Sequence, residues 1–106
     1  MKEPKIRVII CRTHQVPYVE WIHNTTANIQ RIIGGYVEMI PKFNDYVILC
    51  NEEGRIRKLP RNPAVADDIR GDCIIVASDG VEFVSLEENH AYKLLEGLRK
   101  NYKECQ

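Results

Sequence analysis

An excess of either charge is missing from this sequence: 15 Lys and Arg stand against 15 Asp and Glu, so the net charge with neutral histidines is zero. Nothing therefore draws the chain as a whole toward a polyanion. Also missing is an apolar run of the ~20 residues that a membrane helix requires. The apolar stretches, such as Val8 to Cys11 and Cys73 to Ala77, are far shorter. The opening Met-Lys-Glu-Pro-Lys has charge but no apolar h-region behind it, so neither secretion nor an anchor is expected and the chain reads as cytoplasmic. There is no Gly-x-Ser-x-Gly elbow, no His-Glu-x-x-His, no Walker loop and no Cys-x-x-Cys pair, which removes the common signatures of hydrolases, zincins, P-loop proteins and zinc knuckles.

What is present is an ordinary globular balance. Of 106 residues, 44% are apolar and 28% charged, enough for one core and too apolar for disorder. A single domain over residues 1–106 is expected. Four cysteines, Cys11, Cys50, Cys73 and Cys105, are spread widely, and three lie inside apolar, strand-like runs where a thiol acts as a small hydrophobe. Free, mostly buried thiols are expected. Cys11 and His14 have a metal-like spacing, but two ligands are short of the four of structural zinc, so no metal and no cofactor is assigned.

Lys5 to Cys11 reads as a strand, and Pro17 to His23 as its hairpin partner. Asn24 or Thr25 caps a short helix with Ala27, Ile29, Ile32 and Ile33 at three- and four-residue spacing, ended by Gly34-Gly35. Tyr36 to Ile40 is a strand closed by Pro41, and after the turn Lys42-Phe43-Asn44-Asp45 the run Tyr46 to Cys50 is expected to be a central strand. Asn51 to Gly54 then predicts a hairpin loop, with Arg55 to Leu59 returning as a short charged edge strand. Pro60 to Gly71 is irregular, with one helical turn around Ala64 to Ile69. Cys73 to Ala77 is a buried strand that turns at Ser78-Asp79-Gly80 into Val81 to Val84. Ser85 followed by Glu88 forms a capping-box pattern, opening a helix in which Leu86, Ala91, Leu94, Leu95 and Leu98 supply an apolar stripe. The sum is α+β: a mostly antiparallel sheet with one short helix and one longer C-terminal helix.

The chemistry-bearing features are few. Gly34-Gly35 follows its helix, whereas phosphate cradles precede one, so a C-cap outweighs a ligand-binding reading. Arg55, Arg57, Lys58 and Arg61 are the densest basic cluster; on a strand Arg55 and Arg57 would share a face, giving either a solvated edge or an anion site with guanidinium forks. Residues 64–90 carry seven carboxylates against Arg70 alone, so charge is segregated along the chain. His14, His23 and His90 read as loop, strand and helix-surface residues. Asp67-Asp68 would be paired carboxylates only if a turn gathered them. The aromatics, Tyr36 among them, belong more naturally to packing than to base stacking.

Four segments in order, Ile33-Gly34-Gly35-Tyr36-Val37-Glu38, Cys50-Asn51-Glu52-Glu53-Gly54, Leu59-Pro60-Arg61-Asn62 and Asp68-Ile69-Arg70-Gly71-Asp72-Cys73-Ile74-Ile75-Val76, resemble domain-of-unknown-function family 3846. The resemblance spans about residues 5–97. Where members of that family have a bulky aromatic pair after the last glycine, this chain has Asp72-Cys73. The family carries no assigned activity; the resemblance implies a phage, mobile-element or bacterial source, and such genes often encode small inhibitors of host defence.

The expectation is a non-enzymatic binding protein that interferes with a host defence or regulatory pathway, by sequestering a nucleotide-like signal or by masking a host protein. Its candidate ligand-binding residues are Gly34, Gly35, Tyr36, Asn51, Arg55, Arg57, Arg61 and Asn62. The competitors are a nucleic-acid-binding module on the basic cluster and a small nucleotide-processing enzyme on Asp67, Asp68, Asp72 or a histidine. An edge strand and surface aromatics are compatible with a homodimer.

Overall fold

A computed structural model of the chain describes residues 4–43, 45–65 and 68–105. Among the described residues the elements run β1 (Lys5–Cys11), β2 (Tyr18–His23), α1 (Thr26–Ile33), β3 (Val37–Lys42), β4 (Tyr46–Asn51), β5 (Cys73–Ser78), β6 (Phe83–Val84) and α2 (Glu88–Glu104). All strand pairings are antiparallel, in the order β2-β1-β5-β4-β3, with β6 against the end of β5. The fold is α+β, and its longer helix is C-terminal.

The apolar runs take the middle of the sheet because both of its faces are covered. Side chains alternate along each strand, so Val8, Leu49 and Ile74 pack under α1 while Ile9, Ile48 and Ile75 pack under α2. The strand expected to be central, Tyr46 to Cys50, is interior, but β5 holds the middle position between β1 and β4. Helix α1 has only eight residues and would be marginal by itself. It is held by burial of Ile29, Ile32 and Ile33, each contributing about 1.5–3 kcal/mol. Thr25 Oγ1 accepts the Asn28 N–H at 3.2 Å to start it, and Gly34, at φ 87°, ends it in the left-handed conformation.

Several local expectations are corrected. Pro41 lies inside β3 rather than closing it; β3 is an edge strand, where proline's missing donor disturbs no second ladder. Arg55 to Leu59 is not a strand. It is a series of tight turns, with Arg57 N bonded to Glu53 O, Leu59 N to Gly54 O and Lys58 in the left-handed region at φ 54°. Ser85 does not cap α2: Glu87 does, its carboxylate accepting from Asn89 N and His90 N at 3.2 and 3.0 Å. Ala64 and Val65 are buried in a turn; residues 66–67, and with them Asp67 and part of the expected helical turn, lie outside the described residues, as does Asn44.

All four cysteines are free, Cys105 exposed and the others buried. Cys11 and Cys73 face each other across β1 and β5. A hydrogen bond with Cys11, together with burial, pushes the Cys73 thiol well above its ordinary range. Burial, reinforced by the charge of Glu38, pushes Cys50 up to about 11. Such thiols stay protonated and behave as core residues.

Candidate functional site

The antiparallel order brings one end of several elements together. β1 and β4 finish at the end of the sheet where β5 and β3 begin, and α1 delivers Gly34 to the same corner. There a cleft of about 230 Å³ is lined by Ile33 and Gly34 from the end of α1, Asn51 from the end of β4, and Arg57, Leu59 and Pro60 from the turns that follow. Thr13 and the Gly71-Asp72 approach to β5 complete it.

Asn51 is the unusual member. It shares the α1 side of β4 with Val47 and Leu49 and is only 5% exposed. Its Oδ1 accepts the Glu53 N–H at 2.8 Å, which fixes the amide so that the nitrogen points the other way. That nitrogen, Nδ2, is buried and has no hydrogen-bond partner among the described residues. Leaving such a donor unmet costs about 1–3 kcal/mol, and most buried polar groups are paired. Gly35 explains how the amide fits: a Cβ there would lie 2.9 Å from Asn51 Nδ2 and 3.5 Å from Arg57 Nη1. Arg57 reaches over the same point and donates from Nη1 to the Gly34 carbonyl at 3.3 Å. Two donors from distant segments thus converge above one bare glycine.

The acidic member of the lining, Asp72, is restrained. Asp72 Oδ2 accepts from Arg12 Nη1 and Asp72 Oδ1 from Thr13 N, both at 3.0 Å. Arg12 Nε also donates to Tyr18 Oη at 3.4 Å, and its pKa is raised by hydrogen bonding to Tyr18 and, after the opposing effect of burial, to Asp72. The cleft therefore combines the donor side chains of Asn51 and Arg57, a positioned carboxylate and the apolar residues Ile33, Leu59 and Pro60.

The expected site residues separate into groups. Gly34, Gly35, Asn51 and Arg57 come together, across a wide gap in sequence. Tyr36 is exposed beside them, its carbonyl accepting Glu52 N, but its ring is not part of the cleft lining. Arg55 does not share a face with Arg57. The turns send it to the α2 side, where Arg55 Nη2 lies 3.1 Å from Asp68 Oδ2 and lines a separate depression with Glu38, Cys50 and Arg70. Arg61 forms a backbone bridge with Arg70 and its side chain is exposed. Asn62 is fully buried and fully used: Nδ2 donates to Cys11 O at 2.8 Å and Gly71 O at 3.0 Å, and Oδ1 accepts Ala64 N at 3.0 Å. The backbone donors expected to cradle an anion are engaged as well. Gly34 N and Gly35 N bond Gln30 O, Glu53 N bonds Asn51 Oδ1, and Gly54 N bonds Asn51 O.

Sequence reasoning did not place Thr13 or the Leu59-Pro60 wall at the site, and it considered Asp72 only as a candidate catalytic carboxylate. The one available signal was the departure from the family's aromatic pair at Asp72-Cys73. Of the expected Asp67-Asp68 pair, Asp67 lies outside the described residues, and Asp68 is held by Arg55 and Arg70. His14 and His23 are exposed, and His90 Nε2 meets Asp45 Oδ1 at 2.8 Å. Among the described residues no cluster of three or more His, Cys, Asp or Glu side chains is arranged to hold a metal, and no helix is long and apolar enough to cross a membrane.

An antiparallel α+β domain with a small mixed-polarity cleft at one end of its sheet is the class that the fold and site define. The chain belongs to the family described as domain of unknown function (DUF3846), whose model matches residues 6–99. No curated protein and no solved structure matches it.

Proposed function

We propose that this chain is a non-enzymatic binding protein that takes a small nucleotide-like ligand into the cleft between Gly34, Asn51, Arg57 and Asp72. As the product of a phage or mobile element, it would interfere with a host defence or regulatory pathway by sequestering that ligand. The observation that carries the reading is the unmet donor of Asn51: the residue lines the cleft, and its buried Nδ2 has no partner among the described residues. A ligand acceptor would recover the cost of that unmet bond. The Arg57 side chain is exposed and, among the described residues, bonded only to Gly34 O at 3.3 Å, a bond it could exchange for one to a ligand.

The test is native mass spectrometry of the full chain purified from its host, with calorimetry against a nucleotide panel for wild type, Arg57→Glu and Arg55→Glu. A retained small molecule, lost in Arg57→Glu and kept in Arg55→Glu, is the expected result. Equal loss in both variants, or no small-molecule binding by the wild type, would overturn the reading.

A second reading, masking of a host protein, is favoured by the apolar side chains at the other end of the sheet. Phe43 and Val81 are 94% and 90% exposed. A host-protein complex lost in a Phe43→Ser, Val81→Ser double variant but kept in Arg57→Glu would favour masking over sequestration.

A further inference from the structure

We infer that the cleft reads the hydrogen-bonding edge of a guanine-type base, which enters ahead of any phosphate; this rests on the ligand-binding reading above and names its ligand class. The size of the cleft gives the first reason. About 230 Å³ is below the ~300–1,000 Å³ of pockets that enclose a drug-sized ligand, so the site takes one ring system or head group rather than a whole nucleotide.

The placement of polar groups gives the second. Asn51 and Arg57 both line the cleft; the Asn51 amide carries an unmet donor, and the Arg57 guanidinium has N–H groups beyond the one given to Gly34 O, so the two residues together call for an acceptor. Asp72 lines the same cleft with a carboxylate. Its two bonds, to Arg12 and Thr13 N, leave lone pairs available, since a carboxylate has about four acceptor sites. A bare phosphate would meet this carboxylate as a like charge. A guanine edge offers an acceptor at O6 and two adjacent donors at N1–H and N2–H, matching the donors of Asn51 and Arg57 and the carboxylate of Asp72 in one cleft. Adenine offers a single donor group beside an acceptor and leaves one carboxylate oxygen facing a lone pair.

The third reason separates a base from a zwitterion such as an amino acid. The Asp72 charge is already balanced by Arg12 at 3.0 Å, which suits neutral N–H donors better than an ammonium group. Ile33, Leu59 and Pro60 supply apolar surface to flank a ring, and Leu59 is fixed against Gly71, where a Cβ would come within 2.9 Å of Leu59 Cδ1.

The probes are GMP, AMP and inorganic phosphate, titrated by calorimetry into the full chain and into Asp72→Asn. GMP and AMP carry the same phosphate, so their difference reports the base. GMP should bind on the order of tenfold or more tightly than AMP, because a site built for hydrogen bonds penalises a mismatched edge, and phosphate alone should not bind at the same concentrations. Asp72→Asn should bring GMP to within a few-fold of AMP. If that variant unfolds because Arg12 and Thr13 lose their partner, Arg57→Gln, altered at an exposed position, should weaken GMP by about the same factor through its lost charge-assisted bond. AMP binding as tightly as GMP, or phosphate competing equally with GMP, would overturn the base-edge inference while leaving a ligand-binding cleft. No binding of any probe, with no small molecule retained from the host, would overturn both.

Discussion

Arg7 and Ser85, 78 positions apart, are joined backbone to side chain: Arg7 N donates to Ser85 Oγ at 3.0 Å, and the neighbouring Leu86 N donates to Arg7 O at 2.9 Å. The segment before α2 is thus tied to β1, and the Ser85 hydroxyl reaches the sheet. Ser85→Ala should cost about 1 kcal/mol by leaving the Arg7 donor unmet, with Ser85→Thr close to wild type. Urea midpoints for the three proteins test this, and an unchanged midpoint for the alanine variant would remove the bond from the account of stability.

The start of α2 instead depends on Glu87. Hydrogen bonds from His90 N and then Asn89 N hold its carboxyl below the ordinary 4.5. A depressed folded-state value means the cap's contribution is fully present above the unfolded value and is lost as pH falls through the lower, folded one. Carboxyl NMR should show Glu87 titrating below 4.5, with the Asn89 and His90 amide signals moving in step, and Glu87→Gln should abolish that coupled movement.

The two glycines at the end of α1 should respond differently to alanine. Gly34 sits at φ 87° in open space, so Gly34→Ala is penalised by backbone strain alone, about 1 kcal/mol. Gly35 has no positive φ, but its new Cβ would press on Asn51 Nδ2. Chemical denaturation should show the loss for Gly34→Ala without a shift of the Asn51 side-chain amide signals, whereas Gly35→Ala should move those signals. An undisturbed Asn51 amide in Gly35→Ala would contradict the close approach.

Much of the scaffold was legible because its signals are local. The apolar runs of β1, β4 and β5, the Thr25 cap, the Gly34 stop and the stripe of α2 each follow from spacing within a few residues. The turns after Asn51 were misread because alternating Arg55, Ile56 and Arg57 mimics an edge strand, while the tight bonds at Glu53, Gly54 and Arg55 win locally. Ser85 was misread because a capping box describes residue types, and its hydroxyl found a partner in β1 that no local pattern contains. The site was half legible for the same reason. Gly34, Gly35, Asn51 and Arg57 stood out by type, but their meeting, and the arrival of Asp72 and Thr13 at the same cleft, depend on where β5 inserts in the sheet.

Thiol reactivity should divide three to one. Cys105 is exposed, whereas Cys11, Cys50 and Cys73 are buried, with Cys50 raised to about 11. Because the thiolate is the reactive form, a disulfide reagent near neutral pH should label Cys105 rapidly in native protein and reach the other three only on unfolding. Rapid labelling of a second thiol in folded protein would contradict the burial of the cysteine row.

The two buried asparagines at this end of the sheet offer the sharpest contrast. Asn62 satisfies the carbonyls of Cys11 and Gly71 and the Ala64 N–H, so Asn62→Ala strands three buried backbone groups and should cost about 3 kcal/mol or more. Asn51 satisfies only the Glu53 N–H and carries an unmet donor. Asn51→Ala therefore removes one bond and one penalty together, and its cost should stay near 1 kcal/mol. Residues equally buried, at 0% and 5% exposure, would then differ severalfold in what they contribute to stability. Urea denaturation of the ligand-free proteins measures both. A loss for Asn51→Ala as large as that for Asn62→Ala would mean that the Asn51 amide is engaged in the fold itself, and the case for holding it in reserve for a ligand would fall.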